Sequence, residues 1–310
     1  MPWRRFHRGA VALLALLAFA GCGKTAKKGG GLTVQQRLEK AEKETTPDRQ
    51  ALGYLRAARA QLTSGDKSGA RDSARTAFDR LKKEGDPGAV APRLVDAAAF
   101  LAEIGDKKAA RDAVLLAVER SEGVSDPVRR AKVVADSGAV AGDKAEGLGD
   151  AALARELLGK AQSLADAVED RFRAEALAAV ALACTRAGQA EAAAEMVGRL
   201  EESARALEEP RAKAEALAAA AGVRAKTGKG EEAKALLADA AAAARSIERP
   251  EGRAYALLAV ADAATAGGDR DTALDLLRDA DKAANKIADP TAQKTAMDKV
   301  RTTMATVEKR

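Results

Sequence analysis

Small apolar residues recur along this chain at fixed distances from a glycine that returns about every forty positions. The stretch from Arg173 to Gly188 reads RAEALAAVALACTRAG, and it returns from Lys213 to Gly228 as KAEALAAAAGVRAKTG, with eight of sixteen residues identical. A third version, RAYALLAVADAATAGG, ends at Gly268. Self-similarity at a fixed period of roughly 20 to 50 residues is the signature of a repeat array, so the repeats decide the fold class.

The glycine anchors a set of positions whose residue type hardly changes. The anchors stand 39 to 44 residues apart, at Gly65, Gly105, Gly149, Gly188, Gly228 and Gly268. An alanine stands five residues after each of them, at Ala70, Ala110, Ala154, Ala193, Ala233 and Ala273. A small or apolar residue follows each anchor by twelve, at Ala77, Ala117, Ala161, Leu200, Ala240 and Ala280. An alanine precedes five of the anchors by seven, at Ala58, Ala98, Ala181, Ala221 and Ala261.

Each copy predicts a helix, a turn, a second helix and a break. Proline stands twenty-two residues after five anchors, where it suits the first turn of the next helix, and Asp86, Asp126 and Asp289 precede it as N-caps. The anchor glycine supplies the left-handed residue that ends the first helix. The third copy carries four additional residues, and if they lie in its turn, Gly138 takes the place of the alanine. One helix pair cannot bury its apolar face alone, so neighbours must stack.

These positions resemble the tetratricopeptide repeat family, over roughly residues 48 to 290. The resemblance implies an all-α fold: a right-handed α-solenoid of six helix-turn-helix repeats, with a lead-in helix over Leu32–Glu44 and a C-terminal capping helix over Thr291–Lys309. The period of 40 exceeds the usual 34 of the family, which predicts longer second helices. HEAT-type repeats, whose period is also about 40, are the alternative.

The N-terminal segment has the pattern of an export signal. An apolar run of eleven residues, 10–20, is too short to span a bilayer and suits a secretory signal. The basic residues ahead of it are Arg4, Arg5 and Arg8. The run ends at Ala20-Gly21-Cys22, which resembles a bacterial lipobox, in which the cysteine receives lipid. An ordinary secretory signal is the alternative.

We therefore expect three parts in the chain. Residues 1–21 form a lipoprotein signal peptide, 22–31 the lipidated Cys22 and a flexible basic linker, and 32–310 the solenoid. Lipid on Cys22 would tether the solenoid to a membrane of the cell envelope. Because Gly23 and not aspartate follows Cys22, the periplasmic side of an outer membrane is the favoured location.

The net charge and one further sequence motif change this picture little. The net charge is +6, but six basic and no acidic residues lie in 1–31, so residues 32–310 carry 46 of each sign. The solenoid therefore gives no reason to expect nucleic-acid binding. The segment Ala18–Thr25 fits a loose P-loop expression, but it follows a signal instead of a buried strand, so nucleotide binding is not expected.

The residues that most often carry catalysis are nearly absent. The one histidine, His7, lies in the signal, so the mature chain would lack a histidine base or metal ligand. Cys184 stands four residues before Gly188, at a first-helix packing position that Leu101 fills in another repeat. Acidic residues are spread among basic ones as solvated faces. We expect no enzyme activity, metal site, cofactor or small-molecule substrate.

Binding of a protein partner is the function class that remains. In the family that the chain resembles, first helices line a concave surface. Matching the repeats to the family places six charged candidates on that surface, at Arg59, Glu103, Glu175, Arg186, Lys226 and Asp262. Their mixed signs favour a specific polar protein over a uniformly charged polymer. The inserted turn at 141–150 is the next candidate.

The sequence thus favours a non-catalytic, lipid-anchored scaffold of the cell envelope. Two alternatives stay open. One is an envelope hydrolase, or its regulatory subunit, that uses carboxylates on the same scaffold. The other is a structural spacer without a specific partner.

Overall fold

The computed structural model describes residues 32 to 309, and this part of the chain forms fourteen α-helices and no strand. The first seven are α1 Val34–Lys43, α2 Pro47–Thr63, α3 Lys67–Leu81, α4 Pro87–Glu103, α5 Lys107–Ser121, α6 Pro127–Gly142 and α7 Ala151–Asp166. The others are α8 Asp170–Arg186, α9 Ala190–Ala206, α10 Pro210–Lys226, α11 Gly230–Arg245, α12 Pro250–Ala266, α13 Arg270–Ala284 and α14 Pro290–Glu308. The export signal, Cys22 and the basic linker lie outside the described residues.

The predicted architecture is confirmed. Helices α2 to α13 form six helix-turn-helix repeats, α1 is the lead-in helix, and α14 is the C-terminal helix. Second helices span 15 to 17 residues and first helices 16 or 17, so the two helices of each repeat are similar in length. Among the described helices, none is long and apolar enough to cross a membrane.

The anchor glycines end the first helices as predicted. All six have a positive φ, between 71° and 88°, which favours a residue without Cβ. The next residue then donates its N–H back into the helix, as Asp66 does to the Gln61 carbonyl at 2.9 Å. Where that residue is aspartate, its carboxylate also accepts a hydrogen bond from the first turn of the second helix. The four caps are Asp66, Asp106, Asp150 and Asp269.

The additional residues of the third repeat lie in its turn. Residues 143–150 connect α6 and α7, where three residues connect the two helices of every other repeat. Asp150 N–H still donates to the Ala141 carbonyl at 2.7 Å, which reproduces the closing bond of the shorter turns. Gly138 accordingly takes the place of the alanine, because a Cβ there would lie 2.9 Å from Leu158 Cγ.

Buried alanines set the distance between helices. The alanines five residues after each anchor are at most 3% exposed, and the residues twelve after each anchor are fully buried. Between α6 and α8 the approach is closer still. A Cβ on Gly142 would lie 2.6 Å from Ala187 Cβ and 2.9 Å from Ala154 Cβ. Cores of this kind have no room for an added methyl group without movement of the backbone.

First and second helices form two different rows. Each first helix contacts the next first helix, as α8 contacts α10 and α10 contacts α12, whereas successive second helices in the described part of the chain barely touch. The first helices therefore line the inner, concave face. Long side chains cross the wider outer gaps, in the pairs Glu122–Lys160, Asp166–Arg199 and Arg245–Asp279. These pairs occupy equivalent repeat positions. In the first two the acidic residue comes first in the chain, and in the third the basic residue does, so the repeats on either side of one junction could not form the ion pair of another.

A long side chain also closes most junctions between repeats. The fourth residue of the entering first helix, or of α14, donates a hydrogen bond to a backbone carbonyl of the preceding connection or, from Lys213, of the last turn of α9. The pairs are Gln50 to Glu44, Arg130 to Val124, Arg173 to Val168, Lys213 to Arg205, Arg253 to Ile247 and Gln293 to Asn285. Helix α4 has Val90 at this position. These bonds satisfy carbonyls that the preceding helix leaves without an intrahelical partner.

We expect opposite effects of the same substitution at two helical glycines. Gly142→Ala should destabilise the fold by about 1–3 kcal/mol, because its Cβ meets α7 and α8. Gly159→Ala in α7 should stabilise it by up to about 1 kcal/mol, because no atom lies within 4 Å of that Cβ and alanine is the better helix former. Urea unfolding followed by circular dichroism measures both. A shift of the same sign in both variants would contradict the close approach of α6 and α8.

The Asp caps give a second prediction. Burial works to raise the pKa of Asp106, but hydrogen bonds from Arg75 (Nε···Oδ2 2.6 Å) and from Ala109 N–H outweigh it and hold that pKa below its usual range. Asp106→Ala should therefore cost about 1 kcal/mol of stability at neutral pH. The loss should shrink as pH falls through the lowered pKa, because the protonated carboxyl stabilises less.

Lys229→Ala is the matched control. Lys229 holds the same turn position in the fifth repeat, and its side chain forms no cap hydrogen bond. Thermal unfolding of both variants between pH 7 and pH 3 separates the two positions. Equal effects, or a cost of Asp106→Ala that does not depend on pH, would rule out the cap as the source of the stability.

Candidate partner-binding face

All six charged candidates lie on first helices with exposed side chains. Arg59 is on α2, Glu103 on α4, Glu175 and Arg186 on α8, Lys226 on α10 and Asp262 on α12. The structure brings some of them together but does not gather them into one site. They fall into an N-terminal pair, a central basic group and a C-terminal acid.

The N-terminal pair is satisfied within the protein. Arg59 Nη1 lies 3.3 Å from Glu103 Oε2, and the Arg59 guanidinium stacks 4.9 Å from the centroid of the Phe100 ring. Nearby, Arg93 donates to Asp96 at 2.6 Å on the same helix. Because Arg59 has both a carboxylate and an aromatic ring as partners, it has less to gain from a further ligand than a charge with a single exposed partner.

The central group combines acid and base from three repeats. Asp136 on α6 lies 3.9 Å from Arg186 Nη1, and burial raises the pKa of its carboxyl although Lys132 and Arg186 oppose the rise. Its side chain is 34% exposed, as expected for a group on the floor of a concave face. On the far side of Arg186, burial and the nearby guanidinium lower the pKa of Lys226. Arg186 and Lys226 thus form a pair of neighbouring cations.

The C-terminal helix α14 closes the face at its other end. Burial raises the pKa of Asp262, and the charge of Lys299 from α14 partly offsets that rise. The Lys299 ammonium also lies 5.5 Å from the centroid of the Tyr255 ring. Tyr255 stands at the repeat position of Glu175 and Glu215, which places it on the inner face.

The two halves of the inner face differ along their midline. Nine residues before the anchor, the first three repeats have Arg56, Asp96 and Asp136, once the insertion is discounted. The last three repeats have alanine at the same position, at Ala179, Ala219 and Ala259, and each is partly exposed. The C-terminal half therefore has a floor of mostly small side chains, with charges along its edges and at Asp262, which holds the repeat position of Leu182 and Gly222 on α12.

Sequence reasoning missed Asp136 and Lys299. Asp136 stands forty residues after Asp96, ahead of the insertion, so the plain period would have found it. Lys299 belongs to α14, which lies outside the six repeats, and no repeat position marked it. Its place beside Asp262 follows only from the packing of α14 on α12.

The described part of the chain also holds a buried thiol and a shallow cleft. Cys184 is 2% exposed, and burial raises the pKa of its thiol to about 11, which agrees with its predicted packing role. Within residues 32–309 no group of three or more His, Cys, Asp or Glu side chains could hold a metal ion. A shallow cleft of about 700 Å³ lies where α8, α9 and α10 meet, away from the six candidates.

Comparisons with known proteins bear on the fold alone. No protein-family model matches the chain, and curated proteins give no match. Similar solved structures include a tetratricopeptide repeat protein from Parabacteroides merdae ATCC 43184, with 12% identity, a TM-score of 0.35, and coverage of 86% of this chain and 91% of that one. BtubC from P. vanneervenii gives 15% identity, a TM-score of 0.39, and coverage of 77% and 91%.

A Rap protein complexed with Competence and Sporulation Factor gives 15% identity, a TM-score of 0.36, and coverage of 88% of this chain and 78% of that one. Similarities this distant carry no argument about function. The tetratricopeptide-like fold rests on the repeats themselves, with their positive-φ glycine turns and buried alanines.

Proposed function

We propose that this chain is a non-catalytic scaffold that binds a protein partner along the inner face of its solenoid. The observation that carries the proposal is the C-terminal half of that face. Its small-residue floor is partly exposed, and the edge residues Glu175, Arg186, Glu215 and Lys226 are exposed. A face that combines uncovered apolar atoms with charges at its edges has the composition of a protein interface with a polar rim.

The charge balance supports a protein partner over a charged polymer. Residues 32–310 carry equal numbers of acidic and basic residues, and both signs occur within one repeat, as at Glu175 and Arg186. A uniformly charged polymer that crossed this face would be repelled by the residues of its own sign. A folded or folding polypeptide can place the opposite charge at each position, which is how charge gives specificity at interfaces.

We further propose that the scaffold is anchored by lipid in the cell envelope. The support is in the sequence: the basic start, the apolar run of eleven residues and the Ala20-Gly21-Cys22 ending. The nine residues between Cys22 and Leu32 would give the solenoid a tether of up to about 35 Å. The inner face would then be presented at a distance from the membrane surface, and we favour the periplasmic side of an outer membrane.

Site-specific photocrosslinking tests the binding face. A photoreactive residue in place of Ala219, on the inner floor of α10, should give discrete crosslinked protein species in cells. The same residue in place of Glu195, exposed on the second helix α9, is the matched control and should give few. Equal yields at the two positions would place the interface elsewhere, with the 141–150 turn examined next.

Metabolic labelling tests the anchor. Because lipid would be attached through the thiol of Cys22, a Cys22→Ser variant should lose fatty-acid label and leave the membrane fraction. Cys184→Ser is the control, since that thiol is buried in the solenoid, and it should keep both label and location. Unchanged labelling of the Cys22→Ser variant would disprove lipidation at this residue.

A further inference from the structure

The C-terminal half of the inner face carries two rows of opposite charge. On α8, residues 175, 179, 182 and 186 follow helical spacing and share one face, and on α10 residues 215, 219, 222 and 226 do the same. Glutamate begins each set and a basic residue ends it. Because α8 and α10 lie side by side, Glu175 and Glu215 form an acidic row, and Arg186 and Lys226 form a basic row.

The spacing of the rows fits an α-helix. Eleven residues separate the glutamate from the cation on each helix, which corresponds to about 16 Å along the helix axis. A helix is about 10 Å across, so it fits between the rows and its flanking side chains reach both. Packed helices generally lie about 8–10 Å apart, close to the roughly 10.5 Å between residues seven apart on a helix.

The floor between the rows suits close approach of a backbone. On α8 and α10 it consists of Ala179, Leu182, Ala219 and Gly222, all partly exposed, and on α12 of the partly exposed Ala259 and the exposed Asp262. A Cβ on Gly222 would have no atom within 4 Å, so the space above it is open. Toward the C-terminus the floor ends at α14, where Lys299 lies over Tyr255.

We propose that the partner bound here is an amphipathic α-helix that lies along the groove and crosses α8, α10 and α12. Its small or apolar stripe faces the alanine floor. Acidic side chains about seven residues apart face Arg186 and Lys226, and basic side chains on the opposite flank face Glu175 and Glu215. This inference rests on the proposed function, because it names the kind of partner that the same face would bind.

Existing contacts leave these charges available. The Arg186–Asp136 pair is at the limit of an ion pair, at 3.9 Å. Glu215 accepts from Arg211 on its own helix at 2.8 Å, but both side chains are about half exposed, and such surface pairs are readily exchanged. Among the described residues, the charge that acts on Lys226 is the like charge of Arg186, so an acidic side chain would offset both the cost of burial and the repulsion.

A designed peptide is the probe. It has 21 residues with an Ala/Leu stripe, three Glu on one flank and three Lys on the other, each set spaced by seven. A control peptide of identical composition carries both signs on each flank. Fluorescence anisotropy with the full chain should show at least about tenfold tighter binding of the first peptide. Equal binding of both peptides, or of a version with a central proline that breaks the helix, would overturn the proposal.

Reversal of the rows makes the test specific. The double variant Arg186→Glu, Lys226→Glu turns both edges acidic and should weaken binding of the designed peptide by about tenfold. Adding Glu175→Lys and Glu215→Lys restores opposite rows. A helix turned end for end presents its flanks to exchanged edges, so binding should return to near the original level. Failure of this quadruple variant to bind, while its circular dichroism is unchanged, would contradict the two-row geometry.

A steric block separates this inference from the proposed function. Gly222→Leu should fill the floor and abolish peptide binding, whereas Gly198→Leu on α9, whose Cβ also has open space, should leave it unchanged. If crosslinks from position 219 persist but the peptides do not discriminate, a partner binds here and it is not a helix of this kind. If those crosslinks are absent as well, the proposed function itself fails.

Discussion

The close approach of helix backbones over buried alanines is the constraint on which the rest of this structure depends. Side chains of one carbon fix the separation of the two helices in each repeat, and the same residues recur at about forty-residue intervals. The first helices of successive repeats therefore lie side by side along the inner face, most closely at α6 and α8. Residues at one repeat position become rows across the solenoid, which is how Arg186 and Lys226 come to lie side by side. The binding surface is a consequence of the packing.

The fold could be predicted almost entirely from the sequence, because its determinants are local. A left-handed glycine, an Asp cap and an N-terminal proline each act within one turn of the chain, and repetition makes them recognisable. The insertion before Gly149 also lies in the turn, as predicted, because the same closing hydrogen bond forms around the four added residues. The similar length of first and second helices was not predicted, because propensity does not fix where an alanine-rich helix ends.

The candidate face was predictable only in part, because charge pairing depends on neighbours distant in sequence. The repeat register placed Arg59 and Glu103 on first helices, but their pairing across two repeats required the stacking to be known. Asp136 acquires its raised pKa from burial on a concave floor, which no local pattern encodes. The division into a self-paired N-terminal half and an open C-terminal half is likewise a property of the assembled rows. The export signal and Cys22 rest on sequence patterns alone.

The central claim is that the inner face of the last three repeats is where a partner binds. Methyl NMR of alanine-labelled protein tests it most directly, because partly exposed alanines line this face. The buried alanines of the core serve as internal references. On addition of the partner isolated by crosslinking, the methyl signals of Ala179, Ala219 and Ala259 should shift or broaden, and those of the buried Ala193 and Ala233 should stay. Changes confined to second helices or to the 141–150 turn, with the inner alanines unmoved, would contradict the claim.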